Sequence, residues 1–290
     1  MRIAVHGKPF KEEVSSYVQG FIDKIVQEGG KLSISESFEN ILTKKNIRLP
    51  IHDIFADKRT LTNQDYFFSI GGDGTFLESV IFVAEKEIPI VGINTGRLGF
   101  LATVSPTEVV NCVNLLTSKK YSIGKRMLLN LDADKDLFED SFALNEFAIQ
   151  KKDSSSMIVV HTYIDGNYLN SYWADGLIVS TPTGSTGYSL SCGGPVVLPE
   201  SNNFIVSPVC PHNLNVRPLV VPDTSVLSFE TEGRSKNFLV SLDSRSRTVN
   251  PNTKLSVKKA NFNANIVSFK GHDFLDTLRH KLNWGLDARN

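Results

Sequence analysis

The densest chemistry in this 290-residue chain begins at Gly71-Gly72-Asp73-Gly74-Thr75. The segment follows the apolar run Tyr66 to Ile70 and precedes a helix-like stretch from Phe76 to Ala84. A buried strand that feeds a glycine turn and then a helix N-terminus aims backbone amides at an anion. Glycines at these positions let a polyanion come close to the main chain. A carboxylate repels phosphate, so Asp73 makes sense there chiefly if it touches a metal ion or a hydroxyl proton. The chemistry indicated is phosphoryl transfer onto an alcohol. The turn is neither GxxxxGK followed by Ser or Thr nor a complete GxGxxG. The competing structural reading is a plain strand-to-helix turn in which Asp73 and Thr75 cap the helix.

A second cluster runs from Asp175 to Pro195 and is packed with small hydrogen-bonding groups, among them Thr183, Thr186, Gly187, Tyr188 and Ser191. Such groups can bind sugar and base edges, and a tyrosine ring offers a face for a purine. Neither Ser185 nor Ser191 has glycines both two residues before and two residues after it, as a GxSxG nucleophile elbow requires. A β-rich Ser/Thr loop with no ligand is the alternative. A third cluster, Ala143-Leu144-Asn145-Glu146, sets an amide beside a carboxylate. The pair can grip the two hydroxyls of a ribose, support a metal-bound water, or simply end a strand at the solvent. The six histidines form no metal-ligand spacing.

The elements that must position these residues fall into two textures. Up to about residue 125, strand patterns at Arg2 to Val5, Lys31 to Ser35, Tyr66 to Ile70 and Ile88 to Ile93 alternate with helical ones, which predicts a doubly wound, Rossmann-like α/β lobe. From 126 to 270 strands dominate, at Met157 to Ile164, Leu177 to Ser180, Leu219 to Val221, Val226 to Glu230, Phe238 to Leu242 and Asn265 to Phe269, which predicts an all-β, sandwich-like lobe. Phe274, Leu275, Leu278 and Leu282 recur at helical spacing, so the segment 271–290 is expected to form a final helix that returns to the first lobe. Lys plus Arg and Asp plus Glu each total 31, so nothing in the charge balance favours nucleic acid as a partner. Three scattered cysteines, no signal-like N-terminus and no long apolar run lead to the expectation of a soluble, cytoplasmic protein.

These segments together resemble the NAD kinase family. The resemblance covers roughly residues 66 to 285. It is carried by GGDGT at 71–75, GxNxGxLGFL from Gly92 to Leu101, ALNE at 143–146, the Asp175 to Pro195 stretch, Pro208 to His212 with Arg217-Pro218, Asp243-Ser244, and the ending Thr277 to Trp284. It implies transfer of a phosphoryl group from ATP, with Mg²⁺ or another divalent metal, to the 2′-hydroxyl of the adenosine ribose of NAD. Asp73 would be the general base. Gly72 and Gly74, with Phe76 beside them, would lie near the dinucleotide. Asn145 and Glu146 would hold the nicotinamide ribose and its surroundings, and Asp175, Thr183, Thr186, Gly187, Tyr188 and Ser191 would help to seat the nucleotide. A homodimer or homotetramer is implied, with part of the site supplied by a neighbouring subunit. The chain departs from the family pattern at Trp173 and Ser156, where basic residues are common, and at Arg245, where glutamine is common. The basic contacts are therefore expected to shift to Arg245, Lys151 or Lys152.

Two rival functions share parts of this pattern. Lipid kinases of the diacylglycerol and sphingosine type carry a GGDGT turn but lack the Asp175 to Pro195 cluster. A non-catalytic dinucleotide-binding module would have no use for a carboxylate beside the acceptor hydroxyl, so Asp73 discriminates against it.

Overall fold

The computed structural model describes residues 1–152, 157–234 and 237–285. The chain divides into two units, the first made of 1–125 and 264–290 and the second of 126–263.

The first unit is an α/β layer. Its elements are β1 (Arg2–Gly7), α1 (Ser15–Gln27), β2 (Lys31–Ser35), α2 (Glu36–Lys44), β3 (Asp53–Phe55), β4 (Tyr66–Gly71), α3 (Asp73–Val83), β5 (Ile90–Asn94) and α4 (Val109–Thr117). The five strands are parallel in the order β5-β4-β1-β2-β3. This order reverses at β1, so the crevice beyond the carboxyl ends of β1 and β4 is the topological switch point where such sheets take ligands. Both faces of the sheet are covered, and successive residues of β4 serve opposite sides. Phe68 meets Phe21 of α1 with ring centroids 4.6 Å apart, while Phe67 meets Phe55 and Phe82 at 5.9 and 6.3 Å. Burying one such ring stabilises the fold by roughly 1.5–3 kcal/mol. Helix α1 stops because Gly29 takes φ +66° and the Gly30 and Gly29 N–H groups satisfy the carbonyls of Ile25 and Val26.

The second unit is antiparallel. Its elements are β6 (Ser122–Ala133, which begins in the first unit), β7 (Phe142–Ala143), β8 (Glu146–Lys151), β9 (Ile158–Ile164), β10 (Asn167–Ala174), β11 (Gly176–Ser180), α5 (Tyr188–Ser191), β12 (Asn203–Val209), β13 (Leu219–Pro222), β14 (Leu227–Gly233), β15 (Phe238–Leu242), β16 (Arg245–Val249) and β17 (Leu255–Ser268, which ends in the first unit). One sheet runs β13-β12-β11-β8-β15-β16; in the other β10, β9, β14 and β17 are neighbours in that order. Inward residues of both, including Phe147, Val179, Phe204, Val160, Phe229 and Val257, form one core. Strand β11 reads as a continuous apolar run because both of its faces are covered: Leu177 and Val179 enter this core, and Ile178 packs with Ala148, Val209 and Cys192 on the other side.

The final helix, α6 (Phe274–Leu282), belongs to the first unit. Asp273 caps it by accepting from the Asp276 N–H at 2.8 Å. Among the described residues no helix is long and apolar enough to cross a membrane.

Candidate active site

At the end of β4 the chain turns directly into α3, with Gly72 as the residue before the helix and no side chain capping it. The competing reading, in which Asp73 and Thr75 cap the helix, is not the arrangement found. Instead, the Asp73 carboxylate reaches back to the loop after β5. Its Oδ2 accepts from the Phe100 N–H at 2.8 Å, and its Oδ1 accepts from the Leu101 and Ala102 N–H groups, both at 3.0 Å. Gly99 makes this possible, since a Cβ there would stand 1.9 Å from Asp73 Oδ1. Gly71 is likewise fixed by packing, its Cβ position falling 2.2 Å from Thr75 Oγ1.

Gly72 and Gly74 differ. A Cβ on either would meet no protein atom within 4 Å, and neither residue has a positive φ. The protein itself supplies no reason for glycine at these two positions. Open space above two amides of a helix N-terminus fits a bound anion. Phe76, expected in the binding set, belongs elsewhere: its side chain is 0% exposed and its N–H is spent on the Gly72 carbonyl at 3.1 Å. It is a core residue, because a helix entering at 73 turns position 76 toward the sheet.

The neighbouring strand end adds groups that the motifs did not reveal. His6, buried at the end of β1, bridges Ser35 Oγ (2.8 Å) and Glu78 Oε2 (3.1 Å), and Lys8 Nζ lies 2.8 Å from the same Glu78 oxygen. Burial pushes the Glu78 carboxyl up, but the hydrogen bonds from His6 and Lys8 outweigh it, and the net shift is downward. Sequence reading missed the pairing because Lys8 and Glu78 meet only through the parallel register of β1 with β4. Helix α6 supports the Asp73 loop from outside: Lys281 Nζ donates to the Leu98 carbonyl at 2.8 Å, and Phe274 lies 6.1 Å from Phe100.

The second unit holds the other candidate residues. Asn145 and Glu146 stand at the start of β8, in a turn whose amides are gathered by a second aspartate. Asp243, at φ +51° in the β15–β16 hairpin, accepts from the N–H groups of Leu144 (3.0 Å), Asn145 (2.8 Å) and Glu146 (3.2 Å). The Thr181 N–H and Oγ1 donate to the Asn145 and Leu144 carbonyls, so the segment after β11 docks on the same turn. Gly184 is required there, since its Cβ would lie 2.2 Å from the Asn145 carbonyl oxygen. Thr183, Thr186, Gly187 and Tyr188 are thereby brought beside Asn145 and Glu146. Thr186 Oγ1 donates to the Thr183 carbonyl at 3.3 Å, and Thr183 Oγ1 is buried without a partner among the described residues. Ser191 ends α5 and is exposed. Asp175 pairs with Lys151 at 2.6 Å, and the Tyr188 hydroxyl accepts from Gln150 Nε2 at 2.8 Å.

Of the three residues expected to take over the basic contacts, Lys152 is exposed, and Arg245 and Lys151 are already engaged. Arg245 turns its guanidinium onto the carbonyls of Asp140 and Phe142 and over the Phe142 ring, and Lys151 is held by Asp175. Both are committed to shaping the chain around the turn. Trp173 is half-exposed on β10, and Ser156 lies outside the described residues.

The Glu146 carboxyl is strongly perturbed. Burial, and then the charge of Asp243, push it up to about 7, against the pull of the Tyr188 N–H. Its Oε2 is buried with no hydrogen-bond partner among the described residues. Burial also pushes Asp243 upward, opposed by its three amides and Arg245.

Residues 22–121 match the model of the ATP-NAD kinase N-terminal domain, and residues 144–269 match that of the ATP-NAD kinase C-terminal domain. The chain belongs to the ATP-NAD kinase family. It is 56% identical, over 292 aligned residues spanning 100% of both proteins, to the NAD kinase of Cytophaga hutchinsonii. An NAD kinase from Archaeoglobus fulgidus, solved in complex with ATP, is 26% identical with a TM-score of 0.72, covering 94% of this chain and 95% of that one. Yeast NADH kinase complexed with NADH shares the fold at a TM-score of 0.88 and 21% identity, over 99% of this chain and 89% of that one. As a member of the ATP-NAD kinase family, the protein is a phosphotransferase.

Proposed function

We propose that this protein works in the cytoplasm, phosphorylating the 2′-hydroxyl of the adenosine ribose of NAD with ATP to give NADP, and that Asp73 accepts the hydroxyl proton. The observation that carries the assignment is the Asp73 carboxylate held in one orientation by three consecutive amides at the switch point of the sheet. A carboxylate offers about four lone-pair directions, so three amides leave one on Oδ2 for a substrate hydroxyl. As that proton moves to Asp73, the ribose oxygen bonds to the γ-phosphorus, the bond from that phosphorus to the β–γ bridging oxygen breaks, and ADP leaves. The open amides at Gly72 and Gly74 suit the phosphates, and Lys8 lies at the end of the adjoining strand. Asn145, Glu146, Thr183, Thr186, Gly187, Tyr188, Ser191 and Asp175 seat NAD on the second unit, while Arg245 positions the turn that carries Asn145.

Among the described residues no group of three or more His, Cys, Asp or Glu is gathered to hold a metal. This donor set fits a cation carried on ATP rather than one caged by side chains. Mg²⁺ on the donor phosphates would offset charge on the transferred group, since such loose transition states are catalysed by positioning and electrostatics. The working form is a homodimer or homotetramer whose site a neighbouring subunit completes.

The test is incubation of purified protein with NAD and ATP, with and without Mg²⁺, reading NADP through an NADP-specific dehydrogenase. Asp73→Asn is expected to bind NAD while turnover falls roughly 10²- to 10⁴-fold. Near wild-type turnover in that variant would remove Asp73 from the role of base.

A further inference from the structure

A buried carboxylate oxygen without a donor is costly to leave in place, and proteins rarely do so where no ligand or proton answers it. Glu146 Oε2 is such an atom. Burial and Asp243 together make its ionised form harder to hold in the free protein, and the Tyr188 N–H only partly offsets them. From the β15–β16 hairpin comes a second carboxyl, Asp243, which accepts hydrogen bonds from three amides of the turn that carries Glu146. The β11 strand and the following residues 181–187 contribute no ionisable side chain. Tyr188 offers an N–H, but its hydroxyl is occupied by Gln150. On the strand of Glu146, Lys151 is neutralised by Asp175, and the Arg245 guanidinium is turned to the carbonyls of Asp140 and Phe142. Gly187 lies against Oε2, where a Cβ would stand 3.1 Å from it.

We propose that Glu146 waits in the free protein as a neutral carboxylic acid, and that a ribose diol docking against it takes the place of that proton, so that NAD binding releases a proton from this residue. This inference rests on the assignment of the second unit as the NAD seat. The two hydroxyls of a ribose are donors that a carboxylate accepts together, and they answer the orphaned oxygen. A neutral acid would leave one of them without its acceptor. The balance is simple: the Glu146 O–H bond breaks, its proton goes to buffer, and two O–H···O⁻ hydrogen bonds form. The upward push on this carboxyl from burial and Asp243, to about 7, sets the range in which the exchange is visible.

The experiment is calorimetric titration of the full chain with NAD, without ATP, in buffers of different ionisation enthalpy. At pH 6.5 about three-quarters of a proton should leave per NAD bound, and at pH 8 about one-tenth. Affinity should rise about ten-fold from pH 6 to pH 8. In Glu146→Gln the release and its pH dependence should vanish. NAD binding by the wild-type chain with no proton release at pH 6.5 would overturn the inference and leave the NAD seat standing. Unchanged release in Glu146→Gln would overturn it equally. A wild-type chain that binds no NAD at all would take the seat and the inference down together. The wild-type measurement decides by itself should the variant fail to fold.

Discussion

At the scale of single residues, the site is defined as much by missing side chains as by present ones. Of the three glycines of the opening motif, Gly71 has a structural cause that can be stated as a distance, and Gly72 and Gly74 do not. Gly99, outside the motif, has the strictest cause: any Cβ there displaces the carboxylate of Asp73. Gly99→Ala is therefore expected to fall in turnover as far as Asp73→Asn does, with NAD affinity little changed. Gly72→Ala should behave in the opposite way. Its Cβ meets no protein atom, and its φ of −107° suits an L-residue, so thermal stability should stay within about 0.5 kcal/mol of wild type. The added methyl group would then act on the ligand, raising the KM for substrate. A Gly72→Ala enzyme with wild-type kinetics would show that the open space above α3 is not used by a phosphate.

At the scale of elements, α6 and the loop after β5 form one device, since Lys281 and Phe274 brace residues 98–100 and Asp73 holds 100–102 from within. Truncation after His272 should leave the second-unit core folded while turnover drops at least ten-fold; equal activity in the truncated chain, measured by the same NADP readout, would deny the loop any need of the helix. The existence of α6 was legible from the spacing of Leu275, Leu278 and Leu282, as were β2, β4 and β15 from their apolar runs. Helix α2 was not, because Ser35 ends β2 and the helix begins at the next residue, leaving no loop to mark the change of period. The long strand β17 showed only its last few residues, since LSVKKANFNA carries polar side chains on a half-exposed strand. GGDGT and ALNE stood out as local strings. Their aspartate partners did not, because Asp73 contacts amides 27 to 29 residues away and Asp243 contacts amides 97 to 99 residues away, and a backbone N–H has no letter of its own.

At the scale of the whole molecule, each unit uses one carboxylate to gather three consecutive amides, and in the second unit this places a negative charge beside Glu146. The consequence is a stability that declines toward neutral pH. Glu146 moves from an ordinary value of 4.5 to about 7 on folding, so the folded state holds its proton more tightly than the unfolded chain. That contribution is present in full below about pH 4.5, shrinks between there and pH 7, and is gone above it, a change on the order of 3 kcal/mol. Asp243, shifted in the same direction, adds to the trend, whereas Glu78, shifted downward, contributes stability that is lost only in acid below the ordinary carboxylate range. Thermal melts of the free protein should accordingly show Tm falling from pH 5 to pH 7.5, with a shallower fall in Glu146→Gln. Saturating NAD should cancel this decline, because the ligand binds best where Glu146 is already ionised, so the Tm gain from NAD is larger at pH 8 than at pH 6. Equal gains at the two pH values would separate the titration of Glu146 from the binding of the dinucleotide.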